Sequence, residues 1–299
     1  MALQTEIWVT EIQENLFPAN DFMSRCKDHT AFINHLTVHL PQSGANPAVF
    51  KNNTSLPINI NQRTDADFTY SLNNYKGEPI LITNLEEMQN SYDKRSSVLG
   101  NVTRNMRFAI GNQTLYSWTP SGASRIVRTS GTAVNTALAP SATGTRNAIT
   151  LNDISAMKAK LDNDNVPLEG RILMMPADMY NNQLLQINNI QAFYAYNMPV
   201  VQTGKAPTIF GFEVMIRPTI CVYDTSAVVK TINDLGNPLA HLACIAYHPD
   251  FVSKAEGSIN VYAAENLPQY YGSILSIEVQ HGASPLRPNY VGVVALVQQ

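Results

Sequence analysis

The sequence predicts an α+β protein organised around one long helix, and three observations carry that prediction. Residues 37 to 83 form a polar ribbon whose two extended arms, TVHLPQSGANPAVFKNNTSLPINI and NQRTDADFTYSLNNYKGEPILITN, are separated by turn-forming Asn, Gly, Ser and Pro. A capped amphipathic pattern follows over 84 to 111. From residue 150 helical and strand patterns alternate, and residues 241 to 299 are dominated by strands.

Residues 1 to 36 carry large apolar groups (Ile7, Trp8, Leu16, Phe17, Phe22, Phe32, Ile33) scattered among polar ones, with Pro18 after Phe17. They read as a short arm with some helix that packs onto something. The apolar residues of the ribbon are too sparse to stabilise a sheet alone, so it must be held from outside its own fold. It reads as an interaction arm of an assembling protein. In the helix, Asn84 is the N-cap and Glu87 closes a capping box. Leu85, Met88, Tyr92, Leu99, Val102 and Met106 recur at alternating steps of three and four, with Arg95 in the missing slot. Glu86, Glu87 and Asp93 come early and Arg104 and Arg107 late, an order that complements the helix dipole. Gly111 is the expected stop, for a length of ~40 Å, and Gly100 weakens the interior.

The next stretch, 112 to 149, is rich in Ser, Thr, Gly and Ala and reads as loop, its Arg125, Arg128 and Arg146 as solvated charges. Ile154, Met157 and Leu161 then share a helical face that Thr150 or Asn152 caps and LDNDNVPLEG ends. RILMM is a short buried strand, with Pro176 opening a helix that carries Met179, Leu184 and Leu185. Strands follow around PVVQ and in FGFEVMIR (210 to 217), after a turn at Gly204 and Lys205. The core of this α/β unit falls on Leu151, Ile154, Ile172, Leu173, Val214 and Ile216. Beyond it, HLACIAYH is a strand, HPDFVSKAEG a short helix between Pro249 and Gly257, and SINVYAA, YYGSILSIEVQHGA and NYVGVVALVQQ are strands.

A chain of 299 residues with 44% hydrophobic content builds a large core. Charged residues make up only 14%, against the usual quarter, and the abundant Asn, Gln, Ser and Thr suit extensive contact with other protein. A net charge of -3 with no Lys or Arg cluster gives no footprint for gripping nucleic acid. Cys26, Cys221 and Cys244 are odd in number and far apart, which points to a reducing folding environment without disulfides or a cysteine metal site. The start MALQTEIWVTEI has no secretory signal pattern, and no run approaches ~20 apolar residues, so neither secretion nor membrane insertion is expected. The sequons at Asn52, Asn53, Asn101 and Asn112 are then chance matches in an Asn-rich chain.

Catalytic patterns are missing. Gly204-Lys205-Ala206 lacks the upstream glycine and the Ser or Thr of a phosphate loop, and no dinucleotide fingerprint, nucleophile elbow or HExxH helix occurs. His35 and His39, four apart, lack a neighbouring carboxylate or cysteine at ligand spacing. His241, His248 and His281 stand at strand ends, their polar tips expected in solvent. Asp162 and Asp164 are expected to terminate a helix rather than form a catalytic pair. Neither a catalytic residue nor a cofactor or metal ligand is assigned.

The order of arm, ribbon, long helix, α/β unit and closing strands, with the ending ENLPQYYGSILSIEVQHGASPLRPNYVGVVAL, resembles the major capsid proteins of tailed bacteriophages. As residue motifs the likeness lies in RILMMPADMYNNQLL, FGFEVMIRP and the stretch from Gly272 to Val297. The same fold is shared by encapsulins and by the capsid floor domains of herpesviruses. The resemblance implies an N-terminal arm (1–36), an extended loop over a neighbouring subunit (37–83), a peripheral domain with a spine helix (84–115 and 241–299) and an axial domain (116–240). It implies pentamers and hexamers of the chain tiling an icosahedral shell, assembled in the host bacterial cytoplasm around packaged DNA that is only weakly contacted. A separate scaffolding protein, a portal and a decoration protein are the further partners, and no N-terminal processing is expected. The subunit-contact candidates are Trp8, Leu16, Phe17, Val49, Phe50, Lys51, Leu56 and Ile58. Some family members crosslink a ribbon lysine to a neighbour's asparagine; Lys51 near the ribbon tip reads instead as solvated. The alternatives are an encapsulin-type compartment housing an enzyme, an α/β hydrolase or transferase built on 150 to 220, and a carbohydrate-binding or adhesion module on Trp8 and Trp118.

Overall fold

Strands that are apolar on both faces and strands that alternate end up in different sheets of this chain. The computed structural model describes residues 16, 21–42, 44, 48–54, 57–58, 60, 62, 65–83, 94–135, 144–187, 208–218, 220–230 and 240–299. In chain order the elements are strands β1 (Lys27–Asp28), β2 (Ile33–Asn34), β3 (Thr37–Gln42), β4 (Ala66–Ser71), β5 (Asn73–Lys76) and β6 (Ile80–Thr83), then helix α1 (Lys94–Trp118). After it come β7 (Ile126–Arg128), β8 (Ala133–Asn135), β9 (Thr145–Asn147), helix α2 (Leu151–Asn163), β10 (Ile172–Pro176), β11 (Glu213–Arg217), β12 (Cys221–Tyr223) and β13 (Val229–Lys230). The last four strands are β14 (His241–Tyr247), β15 (Val252–Leu267), β16 (Gly272–Pro285) and β17 (Val293–Val297).

The seven-stranded sheet is centred on β14, which pairs antiparallel with β17 along one edge and with β10 and then β12 along the other. Every residue of β10, β14 and β17 is buried, as expected of uniformly apolar runs covered on both faces. Parallel pairing adds β11 beyond β10 and β7 beyond β17. Residues 241–299 therefore do not all return to the ribbon-side sheet: HLACIAY and VVALV can be buried only where both faces are covered. The hairpin of β15 and β16 forms a five-stranded sheet with β1, β5 and β6, and two small sheets, β2-β3-β4 and β8-β9, complete the described strands.

Helix α1 runs 25 residues, about 37 Å, and passes straight through Gly111 to Trp118. Gly111 serves close approach instead of termination, since a Cβ there would lie 2.9 Å from Arg217 Nη2. The supposed loop after it is partly this helix: the hydroxyls of Thr114, Ser117 and Thr119 donate to carbonyls four residues back, so Ser and Thr fit its last turns. Leu99, Val102 and Met106 do face the core, as the periodicity predicts. Asn84, Glu87 and the remaining early helix positions, like PVVQ and the Gly204 turn, lie outside the described residues.

Thr150 caps α2 through a full capping box with Asp153, whose buried carboxylate also accepts from Ser130 N–H and Oγ. Asp164 is the C-cap and is ion-paired with Arg125, which also donates to Asn289 O. Arg125 is thus a half-buried tie, not a solvated charge. The buried Arg171 holds the same loop through the carbonyls of Val166 (2.6 Å) and Pro167 (2.8 Å) and through Asp162 (2.7 Å). Pro176 ends β10, and the following turns are a π turn at Met179–Gln183 and a 3-10 turn at Leu184–Gln186. Of the expected core, Ile154 and Leu173 are buried with Leu151 and Val214 packed against them, Ile172 is buried in the cluster on the other face of the sheet, and Ile216, on the outer strand β11, is 43% exposed.

The expected helix at 248–257 is a single 3-10 turn, Pro249–Phe251, followed directly by β15. Gly257 lies at a register shift of the β15–β16 ladder, where a Cβ would come 2.7 Å from Gln280 Cβ. The strand-end histidines turn inward. His248 accepts from Asp250 N–H at Nδ1 and donates from Nε2 to Glu169 O (2.9 Å), which fixes the neutral tautomer. His281 is buried between β15 and β5, and burial, aided by Lys254 and opposed by Asp28, pushes it down to about 4. A folded value below the ordinary 6.5 means that this neutral imidazole stabilises the fold fully above pH 6.5 and progressively less toward pH 4. The expected loss is roughly 3 kcal/mol. Urea titrations from pH 7 to 4 should show it, and His281→Asn should flatten that limb; an unchanged limb would contradict the assignment.

Candidate assembly surface

The ribbon is rooted in the body and bare beyond it. At the root β3 and β4 pair from Thr37–Ser71 to Gln42–Ala66, and β2 adds a third short strand. Val38 and Leu72 bury themselves against Ala255 of β15, a three-residue apolar anchor. β5 and β6 then run along β16, so the returning arm is part of the main sheet. Between these anchors, every described residue from 48 to 62 is exposed. Val49 is 95% and Ile60 99% exposed, with Phe50 at 59% and Ile58 at 47%. Side chains of this size left in water each forfeit about 1.5–3 kcal/mol relative to burial. Four large apolar side chains left exposed within one stretch of chain suit a surface that another protein covers.

Of the expected contacts, Val49, Phe50, Lys51 and Ile58 therefore lie on this tip. Leu16 does not: it is fully buried in its own chain, in the cluster that holds Phe22, Ile110 and Trp118. Trp8, Phe17 and Leu56 lie outside the described residues. Ile60 was not singled out from the sequence, although its alternation with Ile58 in LPINI puts two apolar groups on one side of an extended chain. Tyr270 and Tyr271 are exposed at the turn of the β15–β16 hairpin, and Tyr262 is exposed further along β15.

A third feature is a cavity of about 340 Å³ where α1, Phe22 and β11 meet. Arg104, Arg107 and Arg217 line it, with Asp21 as the acidic member. Asp21 Oδ2 accepts from Arg107 Nε (3.2 Å) and Nη2 (3.1 Å). Arg217 lies over the rings of Phe22 (5.2 Å) and Phe108 (5.3 Å) and reaches Phe108 O at 3.4 Å with Nη2. Burial and the nearby Arg107, opposed by Asp21, push Arg217 down to about 10, so it stays charged at neutral pH.

Among the described residues no group of His, Cys, Asp and Glu could hold a metal ion. His35 sits in the turn before β3 with positive φ, while His39 Nδ1 meets Asp67 at 2.9 Å across the ribbon. The carboxylate missing beside His39 in sequence is thus supplied by the opposite arm. Among the described residues no helix is long and apolar enough to cross a membrane.

No family model and no curated sequence matches the chain. Solved structures do. The chain is similar to one from Mycobacterium phage Che8 (TM-score 0.60, 14% identity, covering 92% of this chain and 90% of that one). It is similar to a chain of the cyanophage Pam1 capsid asymmetric unit (TM-score 0.64, 9% identity, coverage 91% and 87%). It also resembles the virus-like particle from Pyrococcus furiosus (TM-score 0.53, 10% identity, coverage 98% and 99%). At such identities the likeness establishes architecture: the chain has the α+β fold of phage capsid chains.

Proposed function

We propose that the chain is a capsid shell subunit without enzymatic activity, whose pentamers and hexamers close an icosahedral shell around packaged phage DNA. The observation that carries this is the bare apolar ribbon tip on a fold held in common with phage capsid chains. The ribbon at 37–83 acts as the extended loop laid over an adjacent copy, with Val49, Phe50, Lys51, Ile58 and Ile60 at the contact. The sheet of β15 and β16 with α1 serves as the peripheral body and the β10–β14 sheet as the axial body, so that 241–247 and 293–297 belong with the latter. A scaffolding protein, a portal and a decoration protein are the outside partners this role calls for, and assembly takes place in the bacterial cytoplasm. DNA contact is weak and non-specific, in keeping with a net charge of -3.

An enzyme-housing compartment of the encapsulin type is the second reading, favoured by the near-complete mutual coverage with the Pyrococcus particle. Electron microscopy of the purified, overexpressed chain tests both. Closed shells are expected; a monodisperse monomer would refute both readings, and shells holding a copurified enzyme and no nucleic acid would favour the second.

A further inference from the structure

Three guanidiniums and one carboxylate line the cavity beside β11, a surplus of two positive charges in a chain that is acidic overall. Asp21 is already engaged by Arg107. Among the described residues Arg217 Nη1 is buried without a hydrogen-bond partner, and the guanidinium's contacts there are two ring faces and one long bond to a carbonyl. An unpaired buried donor on a charged group is costly, and a planar fork held between two rings is prepared for an oxyanion. Gly111 leaves room for the guanidinium where it lies, since a Cβ there would come 2.9 Å from Nη2 and make it shift.

We propose that this cavity is a receptor for a carboxylate carried by a second copy of the chain. The inference rests on the self-assembly proposed above and names a contact within it. The walls decide between oxyanions. Phe22, Phe108, Met174, Met215 and Ile216 make most of the lining, and Phe108 and Ile216 are exposed at its rim, which suits a protein side chain entering with its methylenes. A phosphate backbone would instead call for a stripe of cations. The chain carries 23 acidic against 20 basic residues, so another copy is net negative and complements the cavity's surplus of positive charge.

Two variants test this. Arg217→Met keeps an unbranched side chain beside the two rings; Arg104→Gln changes an exposed residue, and so covers the case in which the first fails to fold. Both should leave the melting temperature of dilute, unassembled chain unchanged. Each should raise the concentration at half-assembly about tenfold or more and make it less sensitive to salt. Acetate should inhibit assembly of the unsubstituted chain and leave the weakened assembly of Arg217→Met unaffected. Folded variants that assemble at the original concentration and salt slope would overturn the inference. So would inorganic phosphate protecting finished particles as well as free chain, which would make a free anion the ligand, or unchanged assembly with less retained DNA. Should the unsubstituted chain never assemble, the shell proposal fails with the second-copy assignment. Acetate protection lost in Arg217→Met would then mark an oxyanion site of another use.

Discussion

Replacing Val49 and Ile60 together with aspartate is expected to abolish particle formation while leaving the subunit folded. Both side chains are almost fully exposed, so the folded chain loses no packing, and stability should stay within about 0.5 kcal/mol. In an assembly where these residues are covered, each contributes about 1.5–3 kcal/mol of burial, and an aspartate in its place must be desolvated without a partner. Losing both amounts to roughly 3–6 kcal/mol per contact, a hundredfold or more in the association constant, and a closed shell repeats that loss at every subunit. Sedimentation velocity should show the double variant as a small species with native circular dichroism. Particles at the original concentration would mean that the tip faces solvent in the shell too. Lys51, in the same loop, supplies the comparison: Lys51→Gln should weaken assembly far less than the double change, because a lysine at the contact has little apolar surface to lose.

The ribbon, the capped helix α2 and the buried strands β10, β14 and β17 were legible in the sequence because each is written in local pattern: spaced turn residues, Thr150 with Asp153, and runs such as HLACIAY. What misled were residues whose role is set by a distant neighbour. Gly111 looks like a helix stop until Arg217 is seen lying against it, and Gly257 looks like a C-cap until Gln280 crosses above it. Pro249 and Gly257 together imitate a helix, although only Pro249–Phe251 form a turn and β15 starts at Val252. Arg125 and His248 look solvated because their partners, Asp164 and the Glu169 carbonyl, come from other segments. The exposed apolar groups of the ribbon were half legible: Val49, Phe50 and Ile58 stood out in a polar stretch, and Ile60 did not. The arginine cavity was invisible, since Asp21, Arg107 and Arg217 meet only after the sheet edge has packed against α1.

The same long-range logic makes Trp118 the side chain whose loss should cost most. It ends α1 with no exposed surface, and its indole N–H donates to Ser253 O of β15 at 3.0 Å. One ring edge meets Phe22 at 5.9 Å, the link to the N-terminal segment, and a tilted contact at 5.2 Å reaches Tyr247 of β14. A single residue thus joins the helix to both sheets. Trp118→Ala is expected to destabilise the chain by about 3–5 kcal/mol, from lost burial and from a cavity that three separate elements cannot close together. Trp118→Phe keeps much of the volume but leaves the Ser253 carbonyl without this donor, so an intermediate loss of about 1–3 kcal/mol should remain. Denaturant titration of unassembled chain, with the midpoint falling and the slope unchanged, measures both. If Trp118→Ala shifted the midpoint by less than the equivalent of about 1 kcal/mol, the two sheets would have to be coupled elsewhere, and the strands Val252 and Tyr247 begin and end would be the place to look.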